Sequence, residues 1–426
     1  MRDHAASYYA ASSQAAPRPP LEGDADVDVC VVGAGFTGLS SALHLSLRGY
    51  RVTVLEANRI GWGASGRNGG QILPGFAASL VDLAARHGEE NARRLWELSC
   101  EAVALVRALA ASHAADCELA DGFAYVATRP AQLRHARAEW ALMAERWGYR
   151  HARIVEAGEL PAIVDSRCYV GALYDTFAGH FHPLRFAHGL ARAAEAAGAR
   201  IYEAAAVLAC QPGEPALLLT DRARVRATHV VFAGNAYLGR LLPLASQRVL
   251  PIRTFVLATT PLPPELSRRL IPSGACIADM DTILDYYRLS ADRRLIFGGR
   301  VSMSGRPPPP QRSAALLRRR MVRVFPVLAD AEIAYVWDGL VALTGHRLPH
   351  FTRLDRNRYL AAGYCGHGVA LATLAGKLIA EAVAGEAGRF DILARMKPPP
   401  VHGGRTVAAG LLWLATVRQR LLELLG

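Results

Sequence analysis

The stretch Val27-Asp28-Val29-Cys30-Val31-Val32-Gly33-Ala34-Gly35-Phe36-Thr37-Gly38, with Arg51-Val52-Thr53-Val54-Leu55-Glu56-Ala57 after it, decides the fold. Apolar β-formers give way to a glycine turn. A helical stretch follows, with apolar residues at Leu39, Ala42, Leu43, Leu45 and Leu47, and then a second strand ending in an acid. That order builds a site for the diphosphate of a dinucleotide. Gly33 permits the tight turn, Gly35 leaves the backbone open to phosphate oxygens, and Gly38 lets helix and strand pack closely. Phe36 and Thr37 start the helix, whose free N–H groups and partial positive charge face the anion. Glu56 ends the second strand beside Ala57, where its carboxylate can accept the ribose hydroxyls and would repel a 2′-phosphate. The motif alone serves FAD and NAD alike.

A second turn of the same kind lies far downstream. Tyr359 to Gly363 reads as a strand, Tyr364-Cys365-Gly366-His367-Gly368 as a glycine-rich turn, and Val369 to Gly385 as an apolar helix. A nicotinamide dehydrogenase has no evident need for this second helix start, whereas a flavin has. Reduction of its ring places negative charge near N1 and the C2 oxygen. Backbone N–H groups at Gly366, His367, Gly368 and Val369 would stabilise it, with a dipole contribution of about 0.3–1 kcal/mol. Between the two turns runs Gly61-Trp62-Gly63-Ala64-Ser65-Gly66-Arg67-Asn68-Gly69-Gly70-Gln71. Five glycines with Ser65, Arg67 and Asn68 describe a loop of backbone donors suited to the ribityl chain and diphosphate. Trp62 serves equally well as a packing residue.

Composition bounds the rest. The 426 residues are 51% hydrophobic and 20% charged, which is a globular chain of two or three domain-sized units. No run of 18 apolar residues predicts a spanning helix, and no apolar segment before Pro17 predicts a secretory signal. Seven dispersed cysteines without a C-x-x-C pair fit reduced thiols in the cytoplasm and suggest no metal site. The formal charge of +12 tempts a nucleic-acid reading. The basic residues are arginines spread along the chain, with only Lys377 and Lys397 as lysines, and Arg318-Arg319-Arg320 reads as a solvated helix face, so no nucleic-acid partner is expected.

Along the chain, residues 1–24 read as an arm laid over the surface. Val81–Ala111 and Ala131–Trp147 have helical periodicity, with a strand at 123–128 between them. A helix from His182 to about Ala197, closed by Gly198, precedes strands at 199–203 and 228–233. Strand-like pieces follow at Thr254–Thr259, Thr282–Leu289 and Leu295–Gly299. The expected fold is α/β plus α+β: a discontinuous Rossmann-like FAD-binding domain (25–85, 175–240 and 345–395) with a mixed, mainly antiparallel substrate domain (86–174 and 241–344). A C-terminal helix is expected within 396–426, docked on the protein body rather than inserted in a membrane.

Several motifs, in order, carry a resemblance. They are the first glycine motif, Gly61 to Gly70, His180-Phe181-His182-Pro183-Leu184, Ala233-Gly234-Asn235-Ala236-Tyr237, Asp285-Tyr286-Tyr287-Arg288, Thr344-Gly345-His346-Arg347-Leu348-Pro349 and Gly363 to Val369. With them the chain resembles the flavin-dependent amine oxidoreductases of the D-amino-acid oxidase type, most closely the γ-glutamylputrescine oxidoreductase branch. The resemblance implies bound FAD and adds Gly63, Ala64, Gly69, Gly70, Val207 and Gly234 to the cofactor residues. Some relatives carry FAD on a cysteine. Val341-Ala342-Leu343-Thr344, where that cysteine would align, has none, so FAD is expected to be non-covalent.

The resemblance further implies oxidation of an amine C–N bond by hydride transfer to the flavin, with hydrolysis of the imine in water. D-amino-acid or imino-acid dehydrogenation, and a non-catalytic FAD-binding protein, remain the alternatives. Tyr286, Tyr287 and Arg288 lie on a strand that could roof the flavin, with only one tyrosine facing it because strand residues alternate. Arg347 could clamp a substrate carboxylate or pair with an internal acid. His367 is expected to orient the flavin turn, and His180 and His182 to line the substrate side or to cap and pack. Neither lysine is well placed over a flavin, so the electron acceptor is oxygen with slow turnover, or another compound.

Overall fold

The computed structural model describes residues 2–302 and 309–400, so the expected C-terminal helix lies mostly outside the described residues. Two sheets organise the chain. The first runs in the order His350–Arg353, Arg358–Ala362, Arg224–Phe232, Ala25–Val32, Val52–Leu55 and Arg200–Tyr202. Its four central pairings, from Arg358–Ala362 to Arg200–Tyr202, are parallel. The strand Ala25–Val32 is buried over its last four residues, as a parallel strand covered on both faces must be. A small hairpin, Ala209–Gln211 with Ala216–Leu219, continues from Arg224–Phe232.

Helices Phe36–Ser46 and Gly368–Val383 pack together against this sheet. Their crossing is tight because Gly376 has no side chain. A Cβ there would lie 2.5 Å from Ser40 Cβ and 2.5 Å from Ser41 N. The hydroxyl of Ser40 donates to Thr373 O at 2.6 Å across the same crossing. Helix Glu89–His113 also joins this core, through Ala102, Val103 and Val106.

The second sheet has nine strands. Its pairings are antiparallel except for Cys276–Asp279 beside Ala120–Ala127. Its spine is Ile333–Leu343, Leu250–Thr259, Leu295–Ser302 and Tyr286–Leu289. The strand Gly171–His180 also belongs to it, so a boundary at 175 falls inside a strand. Gln71–Ile72, at the end of the glycine loop, pairs with that strand at the edge of the second sheet.

Some elements differ from the sequence reading. The helical stretch from Val81 breaks at Gly88, whose φ of 80° no helix continues, into Leu80–His87 and Glu89–His113. The strand expected over 282–289 is only Tyr286–Leu289. Helix Pro310–Val324 carries Arg318 to Arg320, but Arg320 is not merely solvated: its Nε donates to Asp285 Oδ1, a fully buried carboxylate. The N-terminal arm is not a surface feature throughout. Ser7 caps a short helix, Tyr8–Ser12, and Tyr8 and Tyr9 are buried beside Leu184, Val256 and Trp337.

Candidate active site

The two glycine turns meet. Gly33 adopts φ 105°, and its N–H donates to Leu55 O at 2.9 Å. A Cβ on Gly38 would sit 1.9 Å from Gly33 O, so only glycine lets this helix start so near the strand. Gly35 has a different neighbour from the one expected. Its missing Cβ faces Ser65, 2.9 Å from Oγ, so Gly35 makes room for the loop 61–70. That same Oγ accepts the Phe36 N–H at 3.0 Å. The Thr37 hydroxyl meets the Tyr364 hydroxyl at 2.7 Å, both buried, and this bond joins the first turn to the last.

Glu56 ends its strand with both carboxylate oxygens engaged, Oε2 by Ala34 N–H at 2.7 Å and Oε1 by Asn58 N–H at 2.9 Å. Burial raises its pKa, and the backbone bonds oppose the rise. Ala57 beside it is exposed. Val207 packs half-buried on the core that holds Val32, Leu55 and Phe232. Gly234 precedes a short turn, Asn235–Tyr237, and Asn235 Oδ1 accepts the Gly363 N–H at 2.9 Å.

The loop 61–70 is internally braced. Asn68 donates to Ala64 O and Ser65 O, each at 2.9 Å, and accepts the Gly70 N–H at 2.7 Å. The Arg67 guanidinium stacks 4.8 Å over Trp62 and donates to Trp62 O and Asp338 O. A Cβ on Gly69 would lie 2.8 Å from the Tyr286 ring. Gly63 borders Tyr237, and Gly70, at φ 78°, lies against Phe181 O and the Arg288 guanidinium.

A cavity of about 1910 Å³ opens against the second sheet, where Phe123, Tyr125, Thr254 and Tyr286 line it. Ala64, Arg67, Asn68 and Gly69 line one part, and Cys365, Gly366, His367 and Val369 another. The first glycine turn does not line it; its partners Ser65 and Tyr364 are the chain neighbours of the lining residues Ala64 and Cys365. Gly366, at φ 97°, is exposed, and Gly368 packs on Tyr364. His367 precedes the helix start, and its ring Nδ1 is buried without a partner. Burial and the Arg347 charge lower its pKa to about 4, so it is neutral at pH 7. Cys365 is held in the left-handed region (φ 54°) by its N–H on Ala342 O at 3.0 Å and by the Thr344 N–H on its Sγ at 3.2 Å.

The structure separates the sequence candidates. Tyr286 lines the cavity. Tyr287 points to the other face of the sheet, stacked on Phe297, with its hydroxyl 2.8 Å from Tyr169 OH. That removes Tyr287 as a catalytic candidate, for the alternation already noted. Arg288 is also corrected. It is buried, and its guanidinium donates to Gly69 O, Phe181 O, Leu289 O and Tyr9 OH, which makes it a brace for the glycine loop. Arg347 lines the cavity at φ 62°, a strained conformation of the kind found at functional sites. Its side chain makes no ion pair among the described residues. His180 and His182 do not line the cavity. His180 Nε2 meets Gly274 O at 3.0 Å, and His182 caps its helix by accepting the Arg185 N–H at 3.2 Å. Lys377 bonds Glu101 at 2.8 Å, away from the cavity.

Sequence reasoning missed the opposite wall: Phe123, Tyr125, Gln132, Glu139 and Asp281. The carboxylates there are engaged. Glu139 accepts from Ser79 Oγ, Leu80 N–H and Val81 N–H, and Asp281 from Thr128 and Gln132. No motif marks these residues, because they come from separate elements that only the second sheet brings together. Among the described residues no cluster of side chains could hold a metal ion, and no helix is long and apolar enough to cross a membrane.

The family described as DAO, FAD dependent oxidoreductase, matches residues 28–382. The chain belongs to this family of FAD-dependent oxidoreductases. It is 40% identical over 431 residues to γ-glutamylputrescine oxidoreductase of Escherichia coli (strain K12), covering 100% of both chains. It is 36% identical over 413 residues to the probable oxidoreductase OrdL of Haemophilus influenzae, covering 95% of this chain and 94% of that one. Among solved structures, glycine oxidase from Geobacillus kaustophilus superposes with a TM-score of 0.74 at 23% identity, over 88% of this chain and 99% of that one. This last likeness speaks for the shared fold. The FAD-dependent oxidoreductase fold thus accounts for both sheets and for the paired glycine turns.

Proposed function

We propose that the protein oxidises the C–N bond of an amine bearing a carboxylate, of the γ-glutamylputrescine class. The carrying observation is the 40% identity, over the whole of both chains, to γ-glutamylputrescine oxidoreductase. Non-covalent FAD is part of the proposal, since Cys365 Sγ is taken up by Thr344 and Gly363. The residues present suit this cofactor. The tight glycine start at Gly33–Gly38 leaves first-turn N–H groups other than that of Phe36, which Ser65 Oγ holds, for a diphosphate, and the loop Gly63 to Gly70 supplies backbone donors. Glu56 keeps free lone pairs for the ribose. At the other end, the helix start at Gly368 and the unpartnered Nδ1 of His367 offer polar groups to the ring. When bound, FAD accepts the electron pair and proton equivalent of the C–H bond beside the amine nitrogen.

The chain's own residues do the rest. Tyr286 forms a wall of the cavity, wedged between Gly69 and Gly298, where a Cβ would come within 2.8 Å and 2.1 Å of its ring. Arg347 presents the charge that would bind a substrate carboxylate bidentately. Neutral His367 puts no positive charge beside the amine. Burial favours the unprotonated amine, which has the lone pair that hydride loss requires. Slow reaction with oxygen accords with the distance of Lys377 from the cavity, and seven free cysteines accord with a cytoplasmic, reducing setting. Anaerobic mixing of the yellow holoenzyme with γ-glutamylputrescine, putrescine, sarcosine, proline and D-alanine tests the reading. Fastest bleaching by γ-glutamylputrescine is expected. Bleaching by putrescine at an equal rate, or by proline or D-alanine alone, overturns it.

A further inference from the structure

We propose that the N-terminal arm, residues 2–18, is an outer brace of the cofactor loop: a clamp that holds the loop 58–70 in its FAD-accepting shape. This rests on the reading of that loop as a flavin loop. Arm and loop meet at separated points. The Arg2 N–H donates to Asn58 Oδ1 at 2.9 Å, and Trp62 Nε1 donates to Asp3 O at 2.9 Å. Farther along, Arg59 donates to Ala15 O at 3.2 Å. Glu203, buried beneath both, acts as the knot. Its Oε1 accepts the Ile60 N–H at 2.8 Å, and its Oε2 accepts the Arg18 N–H at 3.0 Å and faces Arg59 at 3.2 Å.

The far end of the loop is held from inside. Tyr9 is 0% exposed, with its ring centroid 4.9 Å from His182 and 5.4 Å from Trp337. The Tyr9 hydroxyl accepts from Arg288 at 3.1 Å, and Arg288 Nε in turn donates to Gly69 O at 2.8 Å. Trp337 Nε1 donates to Arg67 O at 2.9 Å. Arm, Arg288 and Trp337 thus grip both ends of a segment with five glycines. Glycine-rich backbone loses the most conformational freedom on ordering. A clamp that orders the loop beforehand spares the ligand that cost, which is the usual gain from preorganisation. Tyr9 and Glu203 are therefore positioning residues. They touch neither cavity nor cofactor turn and act through Arg288 and Ile60.

The test titrates apoprotein with FAD by flavin fluorescence, alongside thermal melting of the apoprotein and the visible circular dichroism of the holoenzyme. Tyr9→Phe keeps the ring and removes the Arg288 acceptor. Its FAD Kd is expected to rise about tenfold, with an altered flavin dichroism band and an unchanged KM for the amine. Glu203→Gln, a second variant independent of the Tyr9 pocket, is expected to raise Kd several-fold. Tyr169→Phe removes a buried hydroxyl on the far face of the second sheet. It is expected to lower the melting temperature and leave Kd alone. Parent-like Kd in both Tyr9→Phe and Glu203→Gln overturns the clamp, as does an equal loss in Tyr169→Phe. Ser65→Ala separates the two readings: parent affinity in that variant overturns the flavin-loop assignment, whatever Tyr9→Phe does.

Discussion

Tyr364→Phe probes the union of the two turns. It deletes the hydroxyl 2.7 Å from Thr37 Oγ1 and leaves the Thr37 side chain, only 4% exposed, with an unpaired polar atom. Leaving a buried hydroxyl unsatisfied costs about 1–3 kcal/mol. Thr37→Val strands the Tyr364 hydroxyl instead and is expected to cost a similar amount. The double variant has no stranded group, and paired apolar replacements of like shape are nearly neutral. The two single effects therefore should not add. Their coupling is expected at about 1 kcal/mol or more, above the additivity of distant sites. Urea unfolding of the holoenzyme reads the stability cycle, and FAD titration reads whether the same bond aligns the two turns. Additive singles in the unfolding cycle would refute the reasoning, because they would show that the hydroxyls act independently.

Gly38→Ala places a Cβ 1.9 Å from Gly33 O, a backbone clash that only displacement of the helix relieves. FAD binding is expected to be lost, with a stability cost of about 1–3 kcal/mol or more; a yellow, parent-like protein on purification would refute it. Arg347→Met is expected to raise KM for a carboxylate-bearing amine tenfold or more and to change KM for putrescine little, checked by steady-state kinetics at pH 7.5. The pH dependence follows from His180 and His182, which burial holds neutral with pKa values of about 3, against an ordinary 6.5. Their folded-state values are depressed bases. Their stabilising effect is thus fully present above pH 6.5 and is lost as pH falls from 6.5 towards 3. Each should cost about 1.4 kcal/mol between pH 7.5 and 5.5. Urea melts at both pH values should show the loss, and His182→Asn should flatten it. Melts that do not change with pH would count against this account.

Local sequence made the first sheet legible because its signals are local. Gly33, Gly35 and Gly38 sit at fixed offsets from an apolar strand, and Gly366 and Gly368 repeat the device before a second apolar helix. The cavity's second wall was not legible. Glu139, Asp281 and Phe123 carry no spacing signal, since strand pairing over long sequence separation brings them together. The pair Tyr286-Tyr287 shows the limit directly. Alternation says that only one ring can face the cavity, and the register of Tyr286 opposite Gly298 decides which. Arg288 had the composition of a substrate clamp. Its burial against Gly69 O and Phe181 O made it a brace instead. Tyr8-Tyr9, in a polar arm with no periodicity of its own, gave no sign of burial.

The order of glycines, apolar strands and acid by itself determined a dinucleotide fold with two helix starts, because a glycine-permitted turn is dictated by residues a few positions apart. Only the tertiary structure decided which faces those turns share, which charges remain unpaired in the cavity and how the arm closes on the loop. Those are matters of burial and partner choice between residues as far apart as Tyr9 and Arg288, or Thr37 and Tyr364, and proximity along the chain carries no information about them.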